Sequence, residues 1–129
     1  MRILVDTHVF LWWLEGDLRL PVGCRDLIAA GTNDVLVSAA SAWEISTKVR
    51  IGKLPGAVEI AHRMSDVVES QGFEPLAITL RHAQRAGALP GLHRDPFDRM
   101  LAAQSQLEDL QLMTTDGVFD SLGVQRLWV

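Results

Sequence analysis

The sequence predicts one α/β domain, a central parallel β-sheet flanked by helices on both faces, and three observations carry that expectation. Short apolar runs recur without the polar alternation of a half-exposed sheet, as strands buried on both faces require. Longer stretches with apolar residues at helical spacing lie between them. The 129 residues fall near the commonest domain size and show no repeat, low-complexity tract or linker. Residues 1–129 are therefore expected to form a single domain.

The elements follow in order. Ile3-Leu4-Val5 is the first apolar run, and Thr7 to Glu15 and Pro21 to Ala30 read as helices. Val35-Leu36-Val37 is the second run. Ser41 to Arg50 is helical, with Ala42, Ile45 and Val49 at i, i+3, i+7. Ala57 to Gln71 is expected as one helix, the Pro75-Leu76-Ala77-Ile78 region as a strand, and Thr79 to Ala86 as a helix. Pro96 to Leu107 forms the last helix, between this region and two final strands, Leu110 to Met113 and Val124 to Val129. Strands alternating with helices make a parallel sheet covered on both sides. In such sheets ligands bind outside the carboxyl ends of the strands.

Composition narrows the class. A hydrophobic content of 48% with 22% charged residues is that of a soluble globular protein. The single cysteine, Cys24, excludes an internal disulfide framework and a Cys-rich zinc site, and fits a reducing compartment. Asp6 ends the first apolar run after three residues, too short for a secretory signal, and no segment approaches the ~20 apolar residues of a membrane span. A cytoplasmic protein without a membrane partner is the expectation. The net charge of −4 argues superficially against nucleic acid. Setting aside Asp6, Glu44, Asp95, Asp98 and Asp116 leaves a slightly basic remainder, with clusters at Lys48, Arg50 and Lys53, at Arg81, His82 and Arg85, and at His93-Arg94. Solvated faces account for these clusters equally well.

The placement of acids is the main functional signal. Asp6 directly follows the first strand, and Asp116 follows Leu112-Met113-Thr114-Thr115 in the same way. Ser38 and Ser41 follow the second strand and lead into Glu44, while Asp98 sits in the first turn of a helix that opens after His93-Arg94-Asp95-Pro96. Each acid also has a local structural reading. Ser41-Ala-Trp-Glu44 matches a capping box, and Asp95-Pro96-Phe97-Asp98 is a good helix start. Asp116-Gly117 is a common turn dipeptide, and Asp6 can cap a helix. None of these explains why four acids share one edge of the sheet, where crowded carboxylates need a cation. Hard oxygen ligands suit Mg²⁺ or Mn²⁺. Thr7 and Thr115 place hydroxyls beside the carboxylates to orient a ligand or water, and His93 and Arg94 stand near enough for phosphate contact. Trp12, Trp13 and Trp43 read as core or interface residues, and His8 and His62 as structural or surface ones. No histidine or lysine stands out as a general base.

The ordered motifs resemble those of PIN-domain proteins, and among them the VapC-like toxins of bacterial toxin–antitoxin pairs. The resemblance rests on Ile3-Leu-Val-Asp-Thr-His8 with Leu11-Trp-Trp13, Ser38-Ala-Ala-Ser-Ala-Trp-Glu-Ile45 and Lys48-Val-Arg-Ile-Gly-Lys-Leu54. It continues through Leu89-Pro90, His93-Arg-Asp-Pro-Phe-Asp-Arg99, Leu101-Ala-Ala-Gln104 and Met113-Thr-Thr-Asp116 followed by Phe119. It implies a PIN-like fold and metal-dependent hydrolysis of RNA. Asp6, Glu44 and Asp98 resemble the metal-binding core, Asp116 the more peripheral fourth acid, and Asp95 an additional acid of the subgroup. A cognate antitoxin and a homodimer are implied too, the latter also suggested by apolar surface at Leu11, Trp12 and Trp13. Ser105, where the subgroup usually has alanine, and Ser121-Leu122, where an aromatic is frequent, remove no carboxylate. A haloacid-dehalogenase-type site needs an acid where His8 stands, and a receiver domain needs adjacent acids near the first strand. The remaining alternative, a catalytically silent PIN-like module that binds RNA or protein, would be expected to lack one of the four acids.

Overall fold

In the computed structural model, which describes residues 1–129, five strands form one wholly parallel sheet. They are β1 (Arg2–Val5), β2 (Asp34–Ser38), β3 (Glu74–Leu76), β4 (Gln111–Met113) and β5 (Arg126–Leu127), in the order β3-β2-β1-β4-β5. The chain runs outward from β1 through β2 to β3, then crosses back to place β4 on the other side of β1. The strand order thus reverses at β1 and β4, where the connections diverge to opposite faces and open a crevice at the carboxyl edge. Val5 pairs with Met113 at the end of that ladder.

Both faces of the sheet are buried, and side-chain alternation sends successive residues to different cores. Ile3, Val5, Val35, Val37 and Met113 enter one core, with Val9, Phe10 and Leu11 of α1 (Thr7–Glu15) and Cys24 and Ile28 of α2 (Val22–Ala29). Leu4, Leu36 and Leu112 enter the other, with Ala86 of α6 (Leu80–Ala88), Met100 to Ala103 of α7 (Pro96–Leu107) and Phe119 of α8 (Val118–Ser121). The helix α3 (Ala39–Arg50) bridges the two, giving Ala40 to the second core and Ile45 to the first. The expected architecture of a parallel sheet between two helical layers is the observed one. No helix is long and apolar enough to cross a membrane.

Three local expectations change. The stretch 57–71 is not one helix. A 3₁₀ turn at Pro55–Ala57 leads into α4 (Val58–His62), and α5 (Met64–Ser70) begins after Arg63, whose φ of −130° and ψ of 32° leave the helical region. Neither proline nor glycine marks that break; Ile60, Ala61, Met64 and Val67, on both sides of it, pack against the same core. The strands around Pro75 and Val124 to Val129 shorten to three and two residues. Proline is tolerated in β3 because this strand lies at the sheet edge. The helix containing Glu44 starts earlier than Ser41, capped by Ser38, whose hydroxyl accepts from the Ala40 amide. Ser41 therefore lies inside the helix, and the Ser41–Glu44 capping box does not form.

A buried polar chain ties the second helical layer to the sheet edge. The Ser38 hydroxyl donates to Gln104 Oε1, and Gln104 Nε2 donates to the Ala77 carbonyl and to His82 Nδ1. His82 Nδ1 also accepts from the Thr79 amide, so the ring proton sits on Nε2, facing Glu108 at 2.8 Å. Every partner is satisfied, as a buried network must be to stabilise. Its effect is to set α7, which carries Asp98, against the end of β2.

Candidate active site

Asp6 extends the β1–β4 ladder by one step, its amide donating to the Met113 carbonyl at 3.0 Å. It then caps α1. Its Oδ1 accepts from the Thr7 amide at 2.6 Å and its Oδ2 from the Thr114 hydroxyl at 2.7 Å. Burial pushes its carboxyl up to about 6, opposed by the Thr114 hydrogen bond and reinforced by the charge of Asp98. Capping alone does not require this. A cap on the surface meets its helix amide without desolvating the carboxylate.

Glu44 reaches the site from α3, where Ser41, Glu44 and Lys48 recur at i, i+3, i+7 and form a polar stripe beside the apolar Ala42, Ile45 and Val49. Ser41 is fully buried and accepts from the Thr7 hydroxyl at 2.8 Å, joining α3 to α1. Glu44, 4% exposed, is ion-paired through Oε2 with Lys48. Burial works against the charge on Lys48, but the hydrogen bond to Glu44 and the charges of Glu44, Asp95 and Asp98 outweigh it and raise its pKa. One ammonium thus serves three acids.

Asp98 comes from the first turn of α7. Asp95 is the N-cap, with Oδ1 accepting from the amides of Phe97 and Asp98 at 2.8 and 3.1 Å, and Pro96 occupies the next position. Burial raises the Asp98 carboxyl above its ordinary range, the His93 hydrogen bond opposes this, and the charges of Asp95 and Glu44 add to it. His93 Nε2 lies 2.8 Å from Asp98 Oδ2. The loop holding His93 is itself gripped by Arg99, whose guanidinium donates to the carbonyls of Ala86, Gly87, Leu89 and His93.

The structure therefore brings Asp98 within reach of the charges of Asp6 and Glu44, with Asp95 alongside as the helix cap. Asp116 stands apart. It is exposed, its Oδ1 caps the Val118 amide at 3.0 Å, and its charge is felt at Arg126. It meets the cluster only indirectly, since its own amide donates to the Thr114 hydroxyl that holds Asp6. Thr115 is exposed, and Thr114 is the residue that contacts a carboxylate. The β1–β4 register explains the change, because the residue after Met113 falls opposite the residue after Val5. Arg94 is exposed and is not drawn onto the acids. His93, expected to face phosphate, and Lys48, read only as part of a basic cluster, instead both touch candidate ligands.

The tryptophans also separate. Trp12 lies against Trp128, His8 and Arg19, and Trp13 donates to Gln71 and packs near Phe73. Leu11 is buried in the core. The apolar surface expected to be left over on α1 is thus largely covered within the chain. Trp43 is not core: it is 54% exposed and meets Phe97 edge to face at 4.7 Å.

The donor set suits a hard divalent cation, since clustered, desolvated carboxylates outnumber the one ammonium among them. As the side chains stand, with Lys48 on Glu44 and His93 on Asp98, no three His, Cys, Asp or Glu side chains converge on one point. Beyond the acids, a largely apolar cavity of about 760 Å³ opens between the start of α3, α5 and the ends of β2 and β3, lined by Val37, Ala42, Met64, Val68, Phe73 and Leu76 among others.

Comparison with known proteins bears on the fold that carries these residues. Ribonuclease VapC16 of Mycobacterium tuberculosis is 37% identical over 68 residues, 51% of this chain and 48% of that protein, so the match spans about half the length of that curated relative. The structure of VapBC2 from Rickettsia felis, bound to a DNA fragment from its promoter, gives a TM-score of 0.71 at 17% identity, covering 100% of both chains. VapC20 of Mycobacterium tuberculosis, described as a Sarcin-Ricin loop cleaving toxin, gives 0.69 at 18% identity, covering 98% of this chain and 99% of that one. FitAcB from Neisseria gonorrhoeae gives 0.60 at 20% identity, with 97% and 96% covered. At such identities these structures speak for the fold. The PIN-domain family model matches residues 3–125, nearly the whole length over which the sheet, both helical layers and the acid cluster are built, and the chain belongs to the PIN-domain family.

Proposed function

We propose that this protein is a Mg²⁺- or Mn²⁺-dependent endoribonuclease, the toxin of a type II toxin–antitoxin pair, acting in the cytoplasm. The observation that carries the reading is the gathering of Asp6, Glu44 and Asp98 from three separate elements onto one sheet edge, two of them with carboxyl groups raised by burial. A fold does not hold desolvated carboxylates together for stability. When bound, the divalent ion supplies charge neutralisation at the scissile phosphate and lowers the pKa of a coordinated water. Asp6, Glu44 and Asp98 are the residues to hold it, with Asp116 at the margin. Thr114 and the Thr7 amide fix both oxygens of Asp6, and His93 fixes one oxygen of Asp98.

The inhibiting partner fits the same edge. An antitoxin segment with an arginine can pair with the carboxylates, and its bulky apolar side chains can fill the neighbouring cavity. Hydrogen exchange on the co-purified pair should show protection near both; inhibition with protection confined elsewhere would mean another route.

The test of the activity is cleavage of RNA by the purified chain. Cleavage is expected with Mg²⁺ or Mn²⁺ and is expected to stop in excess EDTA. Asp98→Asn should reduce it by more than the roughly 10–100-fold that losing an outer-shell partner of a metal costs. Full activity in Asp98→Asn or Asp6→Asn, or activity that persists in EDTA, overturns the assignment.

A further inference from the structure

Trp43 and Phe97 form an aromatic pair near the acids that remains open to solvent at Trp43. Each immediately precedes a candidate ligand in sequence, Trp43 before Glu44 and Phe97 before Asp98. The pair joins α3 to the first turn of α7, so it marks the place where the two helices that carry Glu44 and Asp98 approach each other. The rings meet at 79°, an arrangement that uses one face of one ring, and Trp43 keeps 54% of its surface exposed. Burial of hydrophobic surface does not account for a tryptophan so placed. Trp12, Trp13 and Trp128 each have further partners within the chain, whereas Trp43 has Phe97.

Charge makes the aromatic face more significant. Nucleic-acid affinity usually comes from neutralising phosphates, yet this chain carries a net charge of −4 and its candidate site is a cluster of acids. Stacking of a base on an aromatic ring needs no positive charge, and it selects unpaired bases, whose faces are free.

We propose that Trp43, backed by Phe97, is a stacking platform for an unpaired RNA base beside the scissile phosphate. The inference rests on the ribonuclease reading and adds to it a residue that holds the substrate, the Trp43 ring on which a base next to the scissile phosphate lies. The platform binds the base and leaves the reacting phosphate to the acids.

The experiment titrates a mixed-sequence single-stranded RNA oligonucleotide, and the same oligonucleotide in duplex form, into the protein in EDTA and follows tryptophan fluorescence. Wild type, Trp43→Phe and Trp43→Ala are compared, with thermal melts to verify folding and light scattering to verify mass. Cleavage with Mn²⁺ is measured in parallel. Single strands should quench the fluorescence and bind better than the duplex. Trp43→Ala should weaken single-strand binding by about tenfold, the effect of losing one stacked base. Trp43→Phe should keep most of the affinity, and in cleavage the loss should fall on KM more than on kcat. Unchanged affinity and KM in a folded Trp43→Ala that still cleaves RNA would remove the platform and leave the ribonuclease reading intact. Trp43-dependent binding by a wild type that cleaves nothing would keep the platform and remove the ribonuclease. A change of mass in Trp43→Ala with unchanged RNA binding would mark the face as a contact between copies and overturn the proposal.

Discussion

Asp6 shows how a single side chain couples function to stability. Its carboxyl rises from 3.8 to about 6 on folding, chiefly through burial. Between those values the unfolded chain has released the proton that the native protein retains, so native stability falls as pH rises through that window. The shift corresponds to about 3 kcal/mol at neutral pH. Asp6→Asn removes the buried charge and keeps an acceptor for the Thr7 amide. It should therefore be more stable than wild type at pH 7.5, by up to about 3 kcal/mol, with the advantage gone near pH 4. Guanidinium unfolding at the two pH values checks this; a less stable Asp6→Asn at pH 7.5 would refute it. The variant should also lose cleavage, a trade of activity for stability expected of a functional site. That Asp6 matters was legible, because an acid ending a buried strand needs a partner. Its partner Thr114 was not, because the Thr114 hydroxyl reaches Asp6 only through the β1–β4 register, a pairing of strands more than a hundred residues apart.

Among the elements, the loop from α6 to α7 depends most on one residue. Arg99 satisfies four carbonyls that the end of α6 and the His93 turn would otherwise leave without a partner. Arg99→Ala should cost about 2–4 kcal/mol, because donors from a charged group are lost and carbonyls are stranded. It should also open residues 88–94 to limited proteolysis, and Arg99→Lys should recover little, since an ammonium lacks the guanidinium fork. Wild-type stability and protease resistance in Arg99→Ala would defeat the account. Ser105, the departure from alanine, is explained at the other end of α7: its hydroxyl donates to the Leu110 carbonyl at the turn into β4. Ser105→Ala should cost about 1 kcal/mol, read by denaturant midpoint. The start of α7 was legible because Asp95, Pro96 and Asp98 carry their own capping chemistry. The break at Arg63 was not, because residues 57–71 keep helical spacing across it, and the two short helices are set by packing against the sheet.

For the whole molecule, the pairing of β1 with β4, where the strand order reverses, sets the crevice in which the proposed chemistry would occur. A ligand bound at this crevice binds the native state alone, so it should stabilise the fold by mass action. Mn²⁺ at 100 times its Kd should add about 2.7 kcal/mol and raise Tm measurably, while Asp98→Asn should show little shift. A wild-type Tm indifferent to Mg²⁺ and Mn²⁺ would count against the metal. Association with a second copy remains the expectation from family resemblance, and light scattering should give a mass above the 14.3 kDa of one chain; a concentration-independent monomer would overturn it. By itself the sequence determined the alternation of buried strands and helices, the helix starts with local caps, and the placement of acids just beyond strand ends. These depend on neighbours within a few residues, and local periodicity and capping express them directly. Only the tertiary structure decided which acids meet. Asp98 comes within range of the charges of both Asp6 and Glu44 because β1, α3 and α7 pack at one edge, while Asp116 is carried outward by the turn into α8. It also decided that Lys48 neutralises Glu44 and that Trp43 stays exposed beside Phe97. Such facts depend on side chains from distant segments arriving at the same place, which only the packing of the sheet and its two helical layers specifies.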